Sequence, residues 1–427
     1  MNMQESAALY ERACKSLALG VSSGMRSNVT KPPLYIERAD GPFYYDADHH
    51  KLIDYTLAWG PLIIGSNHAG INQAVIEQLS RGYTYGCQHR IEIELAELMV
   101  DVLPGVEQVI FANTGTEAVQ VAIRIARTQT GRDKFIKFEG HYHGWMNNVL
   151  VNYHPTEGDA FTTQPGCGGQ PASEYAETIV LPWNDLTALE QAFEKYPDQI
   201  SCVITEPILA NSGSCMPEDG YLAGLIALCH KHGTVSIFDE VITGFRVALG
   251  GAREYFNLEP DLSVYGKALA GGFTMSAVGG RTEMFDVLRE GKTIHAGTYN
   301  GTSFNLIAAR ETIKALREPG VYEQMNQHGE SICNALGEAA VKYSLKLATS
   351  GVGPVFSAHF GVDEAPRNYR DTLKTDMNLY TRFRSLMLQK GVQLLPDCRW
   401  YVGATHNDDV LAQVLPAIEE SIKEIQQ

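Results

Sequence analysis

Five short stretches carry side chains that could do chemistry. Asn113-Thr114-Gly115-Thr116-Glu117-Ala118 opens a helical run ending before Gly131. Thr114 and Glu117 have capping-box spacing, and Gly115 and Thr116 would leave backbone N–H groups facing an anion, typically phosphate. The same residues also read as an ordinary capped helix, and no Gly-Lys-Ser/Thr follows to make a P-loop. Glu139-Gly140-His141-Tyr142-His143-Gly144-Trp145 could ligate a metal through His-x-His. No matching Cys/His or carboxylate cluster accompanies it, so no metal is expected; an aromatic there can instead stack on a planar ring. Glu206-Pro207 with Asn211, and Asp239-Glu240-Val241, bring carboxylates that could face a crevice or form structural ion pairs. Gly266-Lys267-Ala268, ahead of Gly271-Gly272, sets a lysine among glycine and apolar neighbours. Lysines usually sit at the surface; a desolvated one has a lowered pKa, which is what a Schiff-base nucleophile needs.

Each stretch comes directly after a strand-like run: Gln108–Ala112, Lys134–Phe138, 201–205, 235–238 and Leu262–Tyr265. Such runs, separated by helical segments or loops, predict a mostly parallel sheet covered on both faces, with its ligand beyond the carboxyl ends of the strands. A phosphate-binding helix start, a ring-stacking aromatic, an acidic residue and a lysine at the ends of one sheet together describe a pyridoxal phosphate (PLP) site. There a lysine takes the aldehyde and an acid partners the ring nitrogen.

The flanking sequence predicts a helix over 3–19 ending at Gly20, then strands and turns around Gly41-Pro42 and Asp46-Ala47-Asp48. Residues 303–345 read as helices. A strand near 354–360, a helix near 371–390, a strand near 398–403 and a helix near 408–425 make an α+β cap. Residues 142–185 read as an irregular loop, functional or mobile. The expected organisation is an N-terminal segment 1–60 packing with the small domain, a large PLP-binding domain 61–305, and a small α+β domain 306–427.

A length of 427 residues, 44% apolar and 20% charged, excludes a disordered or fibrous chain. A net charge of −16 disfavours nucleic acid as a partner. Eight cysteines without Cys-x-x-Cys spacing fit free thiols in a reducing compartment. No export signal is read at the N-terminus, and no run reaches the ~18 apolar residues of a membrane span. A cytoplasmic protein without membrane contact is expected.

The sequence resembles class III aminotransferases of PLP fold type I, and within them the glutamate-1-semialdehyde 2,1-aminomutase branch. The resemblance runs through Gly20-Val21-Ser22-Ser23-Gly24-Met25-Arg26, Trp59-Gly60-Pro61, Asn113-Thr114-Gly115-Thr116-Glu117-Ala118 and Thr130-Gly131-Arg132-Asp133-Lys134. It continues in Tyr142-His143-Gly144, Phe238-Asp239-Glu240-Val241-Ile242-Thr243-Gly244-Phe245-Arg246, Pro260-Asp261-Leu262, Gly266-Lys267 and Gly297-Thr298. It implies that Lys267 holds the cofactor aldehyde and then moves the Cα proton. By the same resemblance Asp239 partners the pyridinium, Tyr142 and Val241 cover the two ring faces, and Thr114, Gly115 and Thr116 bind phosphate. Asn211 would lie near the ring hydroxyl with Glu206 behind it. Thr298 would reach the phosphate of the neighbouring subunit in a homodimer. Arg26 would hold a substrate carboxylate, with Ser23 and Trp59 lining the pocket.

The sequence departs from the aminomutase in the substrate region. Asn152-Tyr153-His154-Pro155-Thr156-Glu157 does not look like its gating loop. Gly86-Cys87-Gln88-His89-Arg90 stands where the branch has Gly-Ala-Pro-Thr-Glu. Cys398-Arg399-Trp400-Tyr401-Val402 lacks the expected Glu, and Gly271-Gly272-Phe273-Thr274-Met275 and Gly301-Thr302-Ser303 are altered. Arg90 and Arg399, placed near the pocket by this comparison, would disfavour a cationic amino-aldehyde intermediate; surface or interface ion pairs would explain them equally. Trp59 and Trp400 suit an aromatic substrate. The expected activity is ping-pong transfer of an amino group between an amino acid, aromatic or a D- or β-amino acid, and a keto acid. The alternative is the intramolecular aminomutase making 5-aminolevulinate. A PLP-binding regulator without turnover would have no need of Lys267 and Asp239 together.

Overall fold

Parallel strands buried on both faces read as near-continuous apolar runs, and this chain has several. A computed structural model describes residues 1–156 and 161–426. Glu157, the last residue of the stretch that departs from the gating loop, lies outside the described residues. The chain divides into two compact units, one of residues 69–322 and 366–373, the other of 1–68, 323–365 and 374–427.

The larger unit is built on seven strands: β1 (Gln108–Ala112), β2 (Lys134–Phe138), β3 (Thr178–Leu181), β4 (Ile200–Thr205), β5 (Val235–Glu240), β6 (Leu262–Tyr265) and β7 (Ser276–Gly280). Their order is β1-β7-β6-β5-β4-β2-β3. Only β7 is antiparallel, against both β1 and β6. Every residue of β4, β5 and β6 is buried. The sequence pattern did not reveal β3, which lies inside the predicted loop 142–185, or β7. The Ser-Ala-Val-Gly-Gly of β7 has only one β-branched residue, yet its glycines are needed. A Cβ at Gly280 would stand 2.4 Å from the carbonyl oxygen of Asp261.

The helix Gly115–Thr130 buries Val119, Ala122, Ile123, Ile125 and Ala126 in the core that the sheet shares with Phe135, Ile204 and Ile237. It ends at Gly131 with φ of 68°, a left-handed cap that glycine adopts without steric cost.

The smaller unit holds two sheets. Ile36–Asp40, Phe43–Asp46 and Lys51–Asp54 form an antiparallel meander, which Val392–Gln393 joins in parallel. Leu347–Val352, Val355–Phe360 and Arg399–Tyr401 form the second sheet. The first helix is Gln4–Ala13, shorter than 3–19, because the chain folds back and seats Gly20 against it. A Cβ at Gly20 would stand 2.5 Å from the Tyr10 ring. The helical region 303–345 is two helices, Ser303–Leu316 and Val321–Lys342, broken at Pro319-Gly320. The helix expected over 371–390 begins at Met377, capped by Asp376. All eight cysteines are free thiols. Among the described residues, no helix is long and apolar enough to cross a membrane.

Candidate active site

Strand register alone aligns much of the chemistry. Thr205 pairs with Phe238, which sets Glu206 and Asp239 at the next positions of neighbouring strands. Glu240 pairs with Tyr265, so Lys267 stands two residues beyond the same edge.

Asp239 is buried, 4% exposed. Its Oδ1 accepts from the Val241 N–H at 3.1 Å, and its Oδ2 lies 2.7 Å from Nδ1 of buried His143. An ionised carboxylate only accepts, so the His143 proton sits on Nδ1. The sequence offered His143 as a metal ligand or a ring neighbour; the fold makes it the partner of Asp239. Its signal was its position, next to Tyr142 at a strand end. Among the described residues no group of His, Cys, Asp and Glu is arranged to hold a metal.

Glu206 ties the same segment from the other side. Its carboxylate accepts from the N–H of Tyr142 at 2.8 Å and of Asn211 at 3.1 Å. Its own N–H donates to His141 Nδ1 at 3.0 Å, so the His141 proton lies on Nε2. Burial pushes the Glu206 carboxyl up and holds His141 well below the usual imidazole range. Burial and, less strongly, the charge of Asp239 raise the Tyr142 phenol.

Sequence reasoning overlooked Lys137, on β2 and fully buried. Its Nζ donates to the carbonyls of His141 at 3.0 Å and Val151 at 2.5 Å. Burial pushes its pKa down to about 7 against the opposing pull of Glu206 and Glu139. The only outward sign was a lysine inside the apolar run Lys-Phe-Ile-Lys-Phe.

Thr114 caps the helix Gly115–Thr130 with a capping box. The Thr114 Oγ1 accepts from the Glu117 N–H at 3.3 Å, while the Glu117 carboxylate takes the N–H groups of Asn113 and Thr114 at 2.9 and 3.0 Å. The Gly115 and Thr116 N–H groups belong to the first turn, which offers them no intrahelical acceptor. Neighbouring segments crowd this point. A Cβ at Gly144 would stand 2.5 Å from Thr116 Oγ1, and one at Gly115 or Gly266 would stand 3.1 or 3.4 Å from the Val241 methyls. Lys267 itself is half-buried with φ of 43°, a left-handed conformation uncommon outside glycine. Thr298 is exposed on the loop after Gly297, where a cavity of about 430 Å³ is bordered by Tyr85, His89 and Asn300.

The remaining expected residues, Arg90 apart, lie in the smaller unit. Arg26 and Trp59 line one cavity of about 480 Å³ with Tyr35, Tyr44 and Thr56. Trp59 ends a run of three left-handed residues, Leu57, Ala58 and Trp59, with φ of 43°, 55° and 70°. Ser23 is exposed and does not line that cavity. Arg399 is buried, bonded to Asp397 at 2.7 Å, with its guanidinium 6.0 Å from the Trp59 ring centre. Its charge is therefore balanced within its own strand end. Trp400, expected as a pocket aromatic, is instead fully buried and packs 5.7 Å from Phe356 and 5.2 Å from Tyr55. Arg90 is exposed at the start of the helix Arg90–Val102, outside both units' buried cores.

The Aminotransferase class-III family model matches residues 25–398. The chain belongs to this family. A glutamate-1-semialdehyde 2,1-aminomutase of Methanothrix thermoacetophila is 39% identical, over 99% of this chain and 97% of its own. An omega-transaminase from Sphaerobacter thermophilus superposes with a TM-score of 0.95 at 28% identity, over the whole of both chains. A transaminase with PLP bound superposes at 0.90 with 25% identity, over 100% of this chain and 99% of its own. The fold is therefore PLP fold type I and the cofactor of the family is pyridoxal phosphate. The residues present fit that group. Donors for a phosphate meet at a helix start, a buried carboxylate is aimed by an imidazole, and glycines at 115, 144 and 266 leave room where a Cβ would crowd Val241 or Thr116.

Proposed function

We propose that this class-III aminotransferase moves an amino group from an amino acid to a keto acid in ping-pong fashion, with an aromatic or β-amino acid as donor. The observation that supports this reading best is the cavity shared by Arg26, Trp59, Tyr35 and Tyr44, whose lining includes no acidic residue among the described residues. A guanidinium fork takes a carboxylate, and aromatic walls take an aryl group.

Pyridoxal phosphate supplies an aldehyde for the amino group and a ring that draws electrons from the Cα bond. The chain's own residues do the rest. Asp239, oriented by His143, would partner the ring nitrogen and keep a proton there. Tyr142 and Val241 would cover the two faces. Thr114, Gly115 and Thr116 would bind the phosphate, and Thr298 would reach that of a neighbouring subunit in a homodimer. Asn211, whose backbone N–H is held by Glu206, would lie near the ring hydroxyl. Lys267 would hold the cofactor, and its Nζ would then carry the proton between Cα and its acceptor carbon. Arg26 takes the substrate carboxylate beside Trp59. Arg399, paired with Asp397, supports Trp59 more than it charges the pocket.

The aminomutase reading has its own support in the 39% identical relative. One experiment separates the two. Amino acids are added singly to the purified holoenzyme while its visible absorption is recorded. Loss of the band with one donor, and stoichiometric release of its keto acid, supports transamination. A response to the semialdehyde or its diamine only, with 5-aminolevulinate formed and no external acceptor, overturns it in favour of the mutase.

A further inference from the structure

After Tyr322 the chain leaves the larger unit and returns to it only at residues 366–373. The return is anchored. Asn184 Nδ2 donates to the Arg367 carbonyl at 2.7 Å, and Asn368 caps the turn Tyr369–Thr372. Two side chains then reach the segment that leads into Tyr142. Arg370 grips the buried Glu139 carboxylate with two bonds of 2.6 Å. Buried Tyr369 packs on Gly140, where a Cβ would stand 2.6 Å from it. A structural ion pair would explain this much.

The same two side chains also hold a strap that runs beside Tyr142. The Tyr369 hydroxyl donates to the Pro155 carbonyl at 2.9 Å, and Arg370 Nη1 donates to the Thr156 carbonyl at 2.8 Å. The strap's other end is tied by Lys137 to the Val151 carbonyl and by the Gly140 N–H to the Asn152 carbonyl at 2.9 Å. Gln164 adds two more bonds to Asn152, at 2.8 and 3.1 Å. Between these ties lies Tyr153, its ring 4.8 Å from that of Tyr142.

We propose that Tyr369 and Arg370 are positioning residues for Tyr142, pinning residues 151–156 so that Tyr153 stands as a fixed backstop to its ring. The inference rests on the reading that Tyr142 stacks on the cofactor.

The test uses full-length Tyr369→Phe, which removes only the hydroxyl, and Glu139→Gln/Arg370→Met, which removes both charges of the buried pair. In the cofactor-free protein, amide hydrogen exchange over residues 150–156 should rise about tenfold in each, the effect of losing one hydrogen bond from a local opening equilibrium. The Tm of Tyr369→Phe should fall by no more than a few degrees, the size expected for one hydrogen bond in a chain of this length. Pyridoxal phosphate should dissociate about tenfold faster from both variants, since the same hydrogen bonds would act through the Tyr142 ring. In a Tyr142→Ala background, Tyr369→Phe should add no further acceleration, because the effect is routed through that ring. Unchanged exchange in both variants overturns the clamp. Raised exchange with unchanged dissociation, or with effects that add in the Tyr142→Ala background, overturns the positioning role. A Tyr142→Ala single variant that retains cofactor as the wild type does overturns the stacking reading, and the proposal with it, whatever the exchange shows.

Discussion

His143 Nδ1 lies 2.7 Å from Asp239 Oδ2, with both side chains buried. A charged hydrogen bond at this depth aims the carboxylate. His143→Leu leaves Asp239 only its bond from the Val241 N–H. The expected outcome is a loss of about 10–100-fold in kcat/KM, the equivalent of one hydrogen bond to a charged group. A wild-type kcat/KM in this variant would show that the imidazole only fills space.

Lys267→Ala should abolish the visible band of the bound cofactor. Loss of the acid/base group alone should reduce turnover by about 10²–10⁴-fold. Absorption spectra and single-turnover assays on dialysed protein read both. Turnover that persists at the wild-type rate would remove Lys267 from the chemistry.

Gly144 approaches Thr116 so closely that a Cβ would stand 2.5 Å from Oγ1 and 2.9 Å from Cα, on a backbone with φ of 96°. An L-residue held in such a conformation costs about 1–3 kcal/mol, before the clash is counted. Gly144→Ala should therefore raise the dissociation constant for pyridoxal phosphate by about tenfold or more and lower Tm. Fluorescence titration of the cofactor-free protein measures the first, and a wild-type constant would show that the Thr116 end is not the phosphate site.

Arg26→Ala should raise KM for carboxylate-bearing donors by about 10–100-fold, the cost of one charge-assisted pair. A simple amine such as 1-phenylethylamine, where it is a substrate, should be much less affected. Equal losses on both classes would assign Arg26 to packing.

Asp54 supplies a stability prediction. It is buried, its Oδ1 accepts from the Thr56 N–H and hydroxyl at 2.8 and 2.6 Å, and burial pushes its pKa up from 3.8 to about 6. The folded state therefore binds the proton more tightly than the unfolded one. The contribution to stability is greatest below pH 3.8 and falls as pH rises to about 6. The full span is about 3 kcal/mol at 1.36 kcal/mol per pKa unit. Asp54→Asn keeps the Oδ1 acceptor and carries no charge. The stability of the variant relative to the wild type should thus improve as pH is raised from 4 to 7, read from paired thermal melts. A constant difference would refute the assignment.

The fold and the cofactor were legible because they depend on local order. Apolar runs at Lys134–Phe138, 201–205 and Leu262–Tyr265 declare buried parallel strands, and the residues directly after each run must sit at one edge of the sheet. β7 escaped notice because its small residues answer to close backbone approach, which no periodicity encodes. Trp400 looked like a pocket aromatic because burial on both sides of a strand cannot be read from residue type.

The sequence by itself determined the family, the fold type, the cofactor and the strand ends at which Thr114, Tyr142, Glu206, Asp239 and Lys267 stand. These depend on the order of residues along single strands and turns. Only the tertiary structure decided that His143 bonds Asp239, that Lys137 is buried beneath the segment leading into Tyr142, that Asp397 balances Arg399, and that residues 366–373 return to grip 155–156. Such pairings join residues from two up to more than two hundred positions apart. A side chain's type restricts what it can bond; only the packed fold brings its partner within three ångströms.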